Sequence, residues 1–138
     1  MLDFSTPFGL RVAERLRSEP ILWLTTVDAA GTPQPRPVWF QWDGETLLIY
    51  SQPHAAKVRH IRRQPRVAMH FNTDSEGNDY AVLLGHARIA EEAVPPERLR
   101  ASLDKYAVEI PHIGYNETTW QAEWSLPILC TPERMRGW

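Results

Sequence analysis

A chain of 138 residues has room for one hydrophobic core and, by the usual size of domains, for one domain. An apolar share of 43% excludes a disordered polar chain, and a net charge of −2 with interspersed signs argues against the broad basic surface of a general nucleic-acid binder. Cys130 is the single cysteine, so no intrachain disulfide framework is possible.

The N-terminus lacks the basic-then-apolar pattern of a secretory leader, and no apolar run approaches membrane-spanning length. The expectation is a cytoplasmic protein without nucleic-acid or membrane partners.

In chain order, Ser5-Thr6-Pro7 supplies a hydroxyl cap and an early proline, and Phe8, Val12 and Leu16 recur at helical spacing. Residues 6 to 18 therefore read as an amphipathic helix. Ile21 to Val27 reads as a strand, with Asp28-Ala29-Ala30-Gly31-Thr32 as a hairpin connection. Val38, Phe40 and Trp42 alternate with Trp39 and Gln41, the strand period. Asp43-Gly44 is a turn signal, and Leu47 to Tyr50 returns as a strand.

Pro53 breaks the chain before a short helix over residues 54 to 63, with Val58 and Ile61 facing inward. Val67 to Phe71 is a strand and Asn72 to Asp79 a polar loop. Tyr80 to Ala90 is a long strand in which Gly85 marks a bulge. Pro95-Pro96-Glu97 opens a helix carrying Leu99, Leu103 and Tyr106. Residues 116 to 123 read as one more helix, and Leu126 to Thr131 as the closing strand. The sum is a mainly β chain with peripheral helices, a six-stranded antiparallel barrel forming one domain over residues 1 to 138.

The basic stretch from Lys57 to Arg66 holds five of the fifteen Lys and Arg residues. A local cationic cluster on a mildly acidic chain fits one small anion better than a polyanion. Lys57 falls in the opening turn of the short helix, where free N–H groups and the helix dipole favour negative charge. A phosphate there would be held by Lys57 and the N–H groups near Ala55 and Ala56, with Ser51 and Arg62 in reach. A charge run alone is more often a solvated face. The preceding strands bring the two readings level.

Pro33, Pro35 and Pro37 cannot donate to a ladder, which confines their stretch to a sheet edge or a strand start. An edge leaves backbone groups from Pro37 through Val38 and Trp39 to Phe40 to meet a planar heterocycle. Proline protection of that edge against aggregation is the plainer reading, and the two are compatible. Trp23, Trp39 and Trp42 are candidate pocket walls, though strand aromatics are more often core. Thr25 and Thr26 could bond a ring edge. The five histidines show no zinc-ligand spacing, and no His-Glu-x-x-His, Gly-x-Ser-x-Gly or phosphate-loop pattern occurs. No metal site is expected. Chemistry supplied by a bound cofactor fits this inventory better than hydrolysis does.

Three segments carry a family resemblance: the run from Leu24 to Phe40, then Tyr50-Ser51, then Lys57-Val58-Arg59-His60-Ile61-Arg62-Arg63-Gln64-Pro65-Arg66-Val67. Together they resemble the pyridoxamine-phosphate-oxidase-like superfamily, the FMN-binding split-barrel type. Pro37-Val38-Trp39-Phe40 and the single lysine before Arg62-Arg63-Gln64-Pro65-Arg66-Val67 look most like actinobacterial deazaflavin-dependent reductases. The resemblance spans nearly the whole chain, but its specific part is residues 22 to 71.

What it implies is a homodimer with cofactor grooves between subunits. It also implies deazaflavin coenzyme F-420, its phosphate near Lys57 and its ring along Pro37 to Phe40. The extra arginine, serine and lysine contacts of flavin-binding pyridoxamine-phosphate oxidases are not found, which favours deazaflavin over FMN. The expected activity is hydride transfer between the deazaflavin and a small electrophilic organic substrate. Solvent would protonate the product, so no catalytic acid is named. The substrate would stack on the exposed ring face, against tryptophans or Arg136-Gly137-Trp138. The alternatives are an FMN-dependent oxidoreductase and a non-catalytic carrier of flavin, deazaflavin or haem. A homodimer also follows from the aromatic load, because a small barrel must cover such surface and twofold self-association is the commonest way.

Overall fold

The structure is a computed structural model describing residues 2 to 138. Seven strands form one antiparallel sheet: β1 (Leu22–Val27), β2 (Pro33–Val38), β3 (Gln41–Trp42), β4 (Leu47–Ser51), β5 (Arg66–His70), β6 (Ala81–Ile89) and β7 (Leu126–Gly137). Their spatial order is β2-β1-β5-β6-β7-β4-β3. The two edge strands, β2 and β3, are consecutive in sequence and joined only by Trp39 and Phe40. A linker that short spans about 11 Å at most. The sheet must therefore curl until its edges meet, which makes the split barrel.

Six strands were expected and seven are found. The proline-rich stretch forms β2, pairing Pro33, Pro35 and Pro37 with Val27, Thr25 and Trp23. Alternate residues of a strand point their N–H groups to the same side, so prolines at every second position leave only the outer edge without donors. The expected strand from Val38 to Trp42 is broken at Trp39-Phe40, where the chain crosses between edges. β7 runs six residues past the expected Thr131, pairing with β6 as far as Gly137.

Five helices lie outside the barrel: α1 (Pro7–Ser18), α2 (Ala56–Arg63), α3 (Pro96–Lys105), α4 (Glu109–His112) and α5 (Glu117–Glu123). Thr6 caps α1, its Oγ1 accepting from Gly9 N–H at 2.9 Å, with Pro7 at the first helical position. Asn116 and Thr119 cap α5 reciprocally. The single turn α4 was not among the expected elements.

The main core fills the barrel with alternate residues of the strands, such as Leu22 and Leu24 of β1 and Leu83 and Ala87 of β6. Val12 and Leu16 of α1 and Val58 and Ile61 of α2 close it. The register between β6 and β7 shifts at Leu84/Gly85, the bulge expected there. A second, smaller core lies outside the barrel. It gathers Leu103, Tyr106, Ile110 and Trp120 with Trp39, Tyr50 and Trp124 packed around them. This second core positions the site. None of the described helices is long and apolar enough to cross a membrane.

Candidate functional site

Two cavities adjoin beside β2 and share Pro37 and Lys57. The larger, about 350 Å³, is apolar. Pro37, Val38 and Trp39 line it from the β2 side, together with Ile113, Trp120 and Trp124 of the α4–α5 region. Tyr50 reaches it from β4. The smaller, about 270 Å³, is the richer in polar side chains, hence the polar cavity, and is lined by Gln34 and Arg36 of β2, Thr26 of β1 and the first turns of α2. An elongated groove with one apolar and one cationic compartment results.

Lys57 stands at the junction. It is the second residue of α2, whose N-cap Ala55 has no side-chain bond to offer. Among the described residues, no group accepts from the Lys57 ammonium or from the N–H groups of Ala56 and Lys57. Burial pushes the ammonium below the ordinary lysine range, and the nearby Arg36 guanidinium pushes it further. A half-buried cation, free helix N–H groups and a second cation together favour negative charge at this end of the groove.

His60 follows one turn later on α2 and lines the polar cavity. Its Nδ1 lies 2.8 Å from Oγ1 of Thr26, which is only 2% exposed. Asp28 is the nearby carboxylate. It accepts from the N–H groups of Ala30 and Thr32 and from the Gln34 amide, and these bonds hold it below the usual carboxylate range.

The apolar wall is held from behind. Trp39 stacks on Tyr106 with ring centroids 4.4 Å apart and on Trp120 at 6.0 Å. The Tyr106 hydroxyl donates to the Pro20 carbonyl at 2.7 Å and accepts from Phe40 N–H at 2.9 Å. The Lys105 ammonium donates to the Phe40 carbonyl at 2.8 Å and sits 3.6 Å above the Phe40 ring centroid. Burial brings it down to about 8, against an opposing pull from Glu19. Tyr50 has no hydrogen-bond partner for its hydroxyl among the described residues, and burial raises it above the ordinary tyrosine range.

Of the residues expected at the cofactor, the structure brings Pro37, Val38, Trp39 and Lys57 together around the two cavities. Three others sit elsewhere. Phe40 is 1% exposed, with its backbone N–H and carbonyl both taken by α3 and the residue after it, because it turns the corner between sheet edges. Ser51 is 1% exposed and its hydroxyl donates to the Gln52 carbonyl at 2.9 Å. Arg62 is exposed and lines neither cavity, since its helical position lies off the face shared by Lys57 and His60. Trp23 stacks on His70, and Trp42 meets Phe4 edge to face.

Sequence reasoning missed Gln34, His60, Tyr50, Ile113, Trp120 and Trp124 as wall residues, and gave Arg36 no role of its own. Gln34 and Arg36 alternate with the prolines, a period-two signal for one side of β2. Trp120 and Trp124 lie four apart on one helical face. His60 gave no signal, because its partner Thr26 is 34 residues away.

A family model described as pyridoxamine 5'-phosphate oxidase matches residues 10–121. No curated protein matches the chain. Among solved structures, an F-420 reductase is 27% identical, covering 89% of this chain and 94% of its own, with a TM-score of 0.67. A conserved hypothetical protein from Mycobacterium tuberculosis is 21% identical over 94% of this chain and 82% of its own, with a TM-score of 0.70. A haem storage protein from Vibrio cholerae, HutZ, is 15% identical over 96% and 95%, with a TM-score of 0.68. Members of this fold thus differ in what they hold. The match over residues 10–121, a curled antiparallel sheet with peripheral helices and the likeness to these structures agree that the chain belongs to the pyridoxamine 5'-phosphate oxidase family.

Proposed function

We propose that this protein is an oxidoreductase that transfers a hydride between deazaflavin coenzyme F-420 and a small electrophilic organic substrate. Lys57 carries the reading: it is a half-buried cation without a partner among the described residues, placed where an apolar cavity meets a polar one. A flat ring joined to a phosphate has that same division of character. The likeness to an F-420 reductase favours deazaflavin among such ligands.

In this reading, Lys57, Arg36 and the N–H groups of Ala56 and Lys57 hold the phosphate through charge-assisted hydrogen bonds. Pro37, Val38 and Trp39 border the ring, and Trp120, Trp124 and Ile113 face the substrate. When bound in its reduced form, the deazaflavin supplies a hydride to an electrophilic double bond. The chain's own work is to hold two planar partners face to face beside the Trp39, Trp120 and Trp124 indoles and to keep bulk water out. Tyr106 and Lys105 fix the corner at Phe40, so that the Trp39 wall keeps its place. A second copy of the single-domain chain covers the open side of the groove, giving a cytoplasmic homodimer.

The second reading is a carrier that binds without turnover, and the likeness to a haem storage protein motivates it at the level of the fold. FMN in place of deazaflavin is the third. Consumption of reduced deazaflavin, followed by absorbance with an enone or quinone present, tests the proposal. Substrate-dependent consumption supports it. Tight binding without consumption moves the protein to the carrier reading, and a Soret band in the purified protein moves it to haem.

A further inference from the structure

We propose that His60, oriented by Thr26, is a further anion-binding residue of the polar cavity, beside the Lys57 and Arg36 already given to the phosphate. This rests on reading the polar cavity as the phosphate compartment and adds a residue to it.

Lys57 and His60 stand three residues apart on α2, so their side chains leave the same face of the helix. Both line the cavity, with Arg36 contributed from β2. The imidazole is held at one nitrogen only: Nδ1 lies 2.8 Å from the Thr26 hydroxyl, and no other group among the described residues bonds either His60 nitrogen. Thr26 in turn has no other side-chain hydrogen bond, and at 2% exposure it cannot turn to water. The pair satisfies a buried hydroxyl and fixes the ring. Nε2 is left as the nitrogen free for the cavity. When the hydroxyl donates to Nδ1, Nε2 carries the proton and is a donor even in the neutral ring.

The charged groups around His60 agree with an anion in this place. Lys57 precedes it on α2 and Arg36 faces it from β2. Asp28, just after β1, is a carboxylate that interacts with it and stays charged through its bonds from Ala30, Thr32 and Gln34, one negative charge against the two cations Lys57 and Arg36. Arg59 and Arg63 share the helix but are exposed. Three donors on two elements then surround one volume of about 270 Å³, ample for a phosphate ester.

Two substitutions separate binding from mere support, because asparagine reproduces a group near Nδ1 and glutamine one near Nε2. The probe is inorganic sulfate, titrated into the full chain and followed by calorimetry. Sulfate keeps one charge state across the working pH range, so differences belong to the protein. His60→Asn, which retains a partner for Thr26, is expected to bind sulfate about tenfold more weakly, as befits a lost hydrogen bond to a charged group. His60→Gln is expected to recover most of that loss. In wild type, the Nε2 resonance should move on adding sulfate while Nδ1 stays near its starting shift. Wild-type sulfate affinity in a folded His60→Asn, or equal losses in Asn and Gln variants with a still Nε2 resonance, would overturn the role of His60 alone. Failure of wild type to bind sulfate, or unchanged affinity in Lys57→Ala, would overturn the phosphate compartment itself.

Discussion

Trp39 and Tyr106 lie face to face, with ring centroids 4.4 Å apart and planes within 4° of parallel. One ring walls the apolar cavity and the other anchors α3, so the site and the second core share one contact. The Tyr106 hydroxyl also binds Pro20 and Phe40, tying the chain before β1 to the corner between β2 and β3. Tyr106→Phe keeps the stack and removes those bonds. It is expected to destabilise the protein by about 1–3 kcal/mol, measured by urea unfolding. Tyr106→Ala removes the ring as well and is expected to cost about 3–5 kcal/mol.

Lys57→Ala is expected to weaken deazaflavin binding by roughly 1.5–3 kcal/mol, because a charge-assisted phosphate contact is lost. The same change leaves urea stability unchanged or raised, since it removes a desolvated cation that has no partner among the described residues. Parallel fluorescence and unfolding titrations check both halves.

Lys105 gives the protein a pH signature. Burial lowers its folded value to about 8 from an ordinary 10.5. A base with a depressed folded value binds fewer protons in the native state than in the unfolded one across that interval. Stability from this residue therefore rises from about pH 8 toward 10.5 and is lowest below 8. Buried Tyr106 and Cys130 act in the opposite direction at high pH, being acids raised by burial. The difference between wild type and Lys105→Met isolates the lysine. That difference should shift in favour of wild type as pH climbs from 7 to 10, and a flat difference would show that Lys105 is not desolvated.

Cys130 is fully buried in β7, and burial pushes its thiol up to about 12. The native protein should resist a disulfide-exchange reagent at pH 8 and react with one equivalent in guanidinium. Fast labelling of the native state would show that β7 opens.

Gly85→Ala drives a Cβ into the Thr131 carbonyl oxygen and places it 2.9 Å from the Pro132 backbone. Neither neighbour is a flexible side chain, so the bulge itself must shift. A loss of about 1–3 kcal/mol in thermal or urea unfolding is expected.

Local signals gave most of the fold, because caps, turns and periods are short-range. Thr6-Pro7, Asp43-Gly44 and Gly85 each act within a few residues, and each took its expected place. The count of strands failed where a long-range fact decided it. Prolines argue against strand until an edge accommodates them, and Phe40 reads as continuous strand until the chain must cross between edges. That Lys57 and Pro37 to Trp39 would meet around one groove was legible from helix-start and edge chemistry. Arg62 and Ser51 were not separable from them, because which face of α2 meets β2 is set by Val58 and Ile61 in the core. His60 was illegible, since its partner lies on another element.

A fluorescence titration of the cofactor-free protein with deazaflavin coenzyme F-420, and in parallel with FMN, bears most directly on the groove between Lys57 and Trp39. Saturable binding with preference for the deazaflavin, weakened in Lys57→Ala, is the expected result. Preference for FMN would contradict the choice of cofactor, and binding of neither would contradict the groove as a cofactor site.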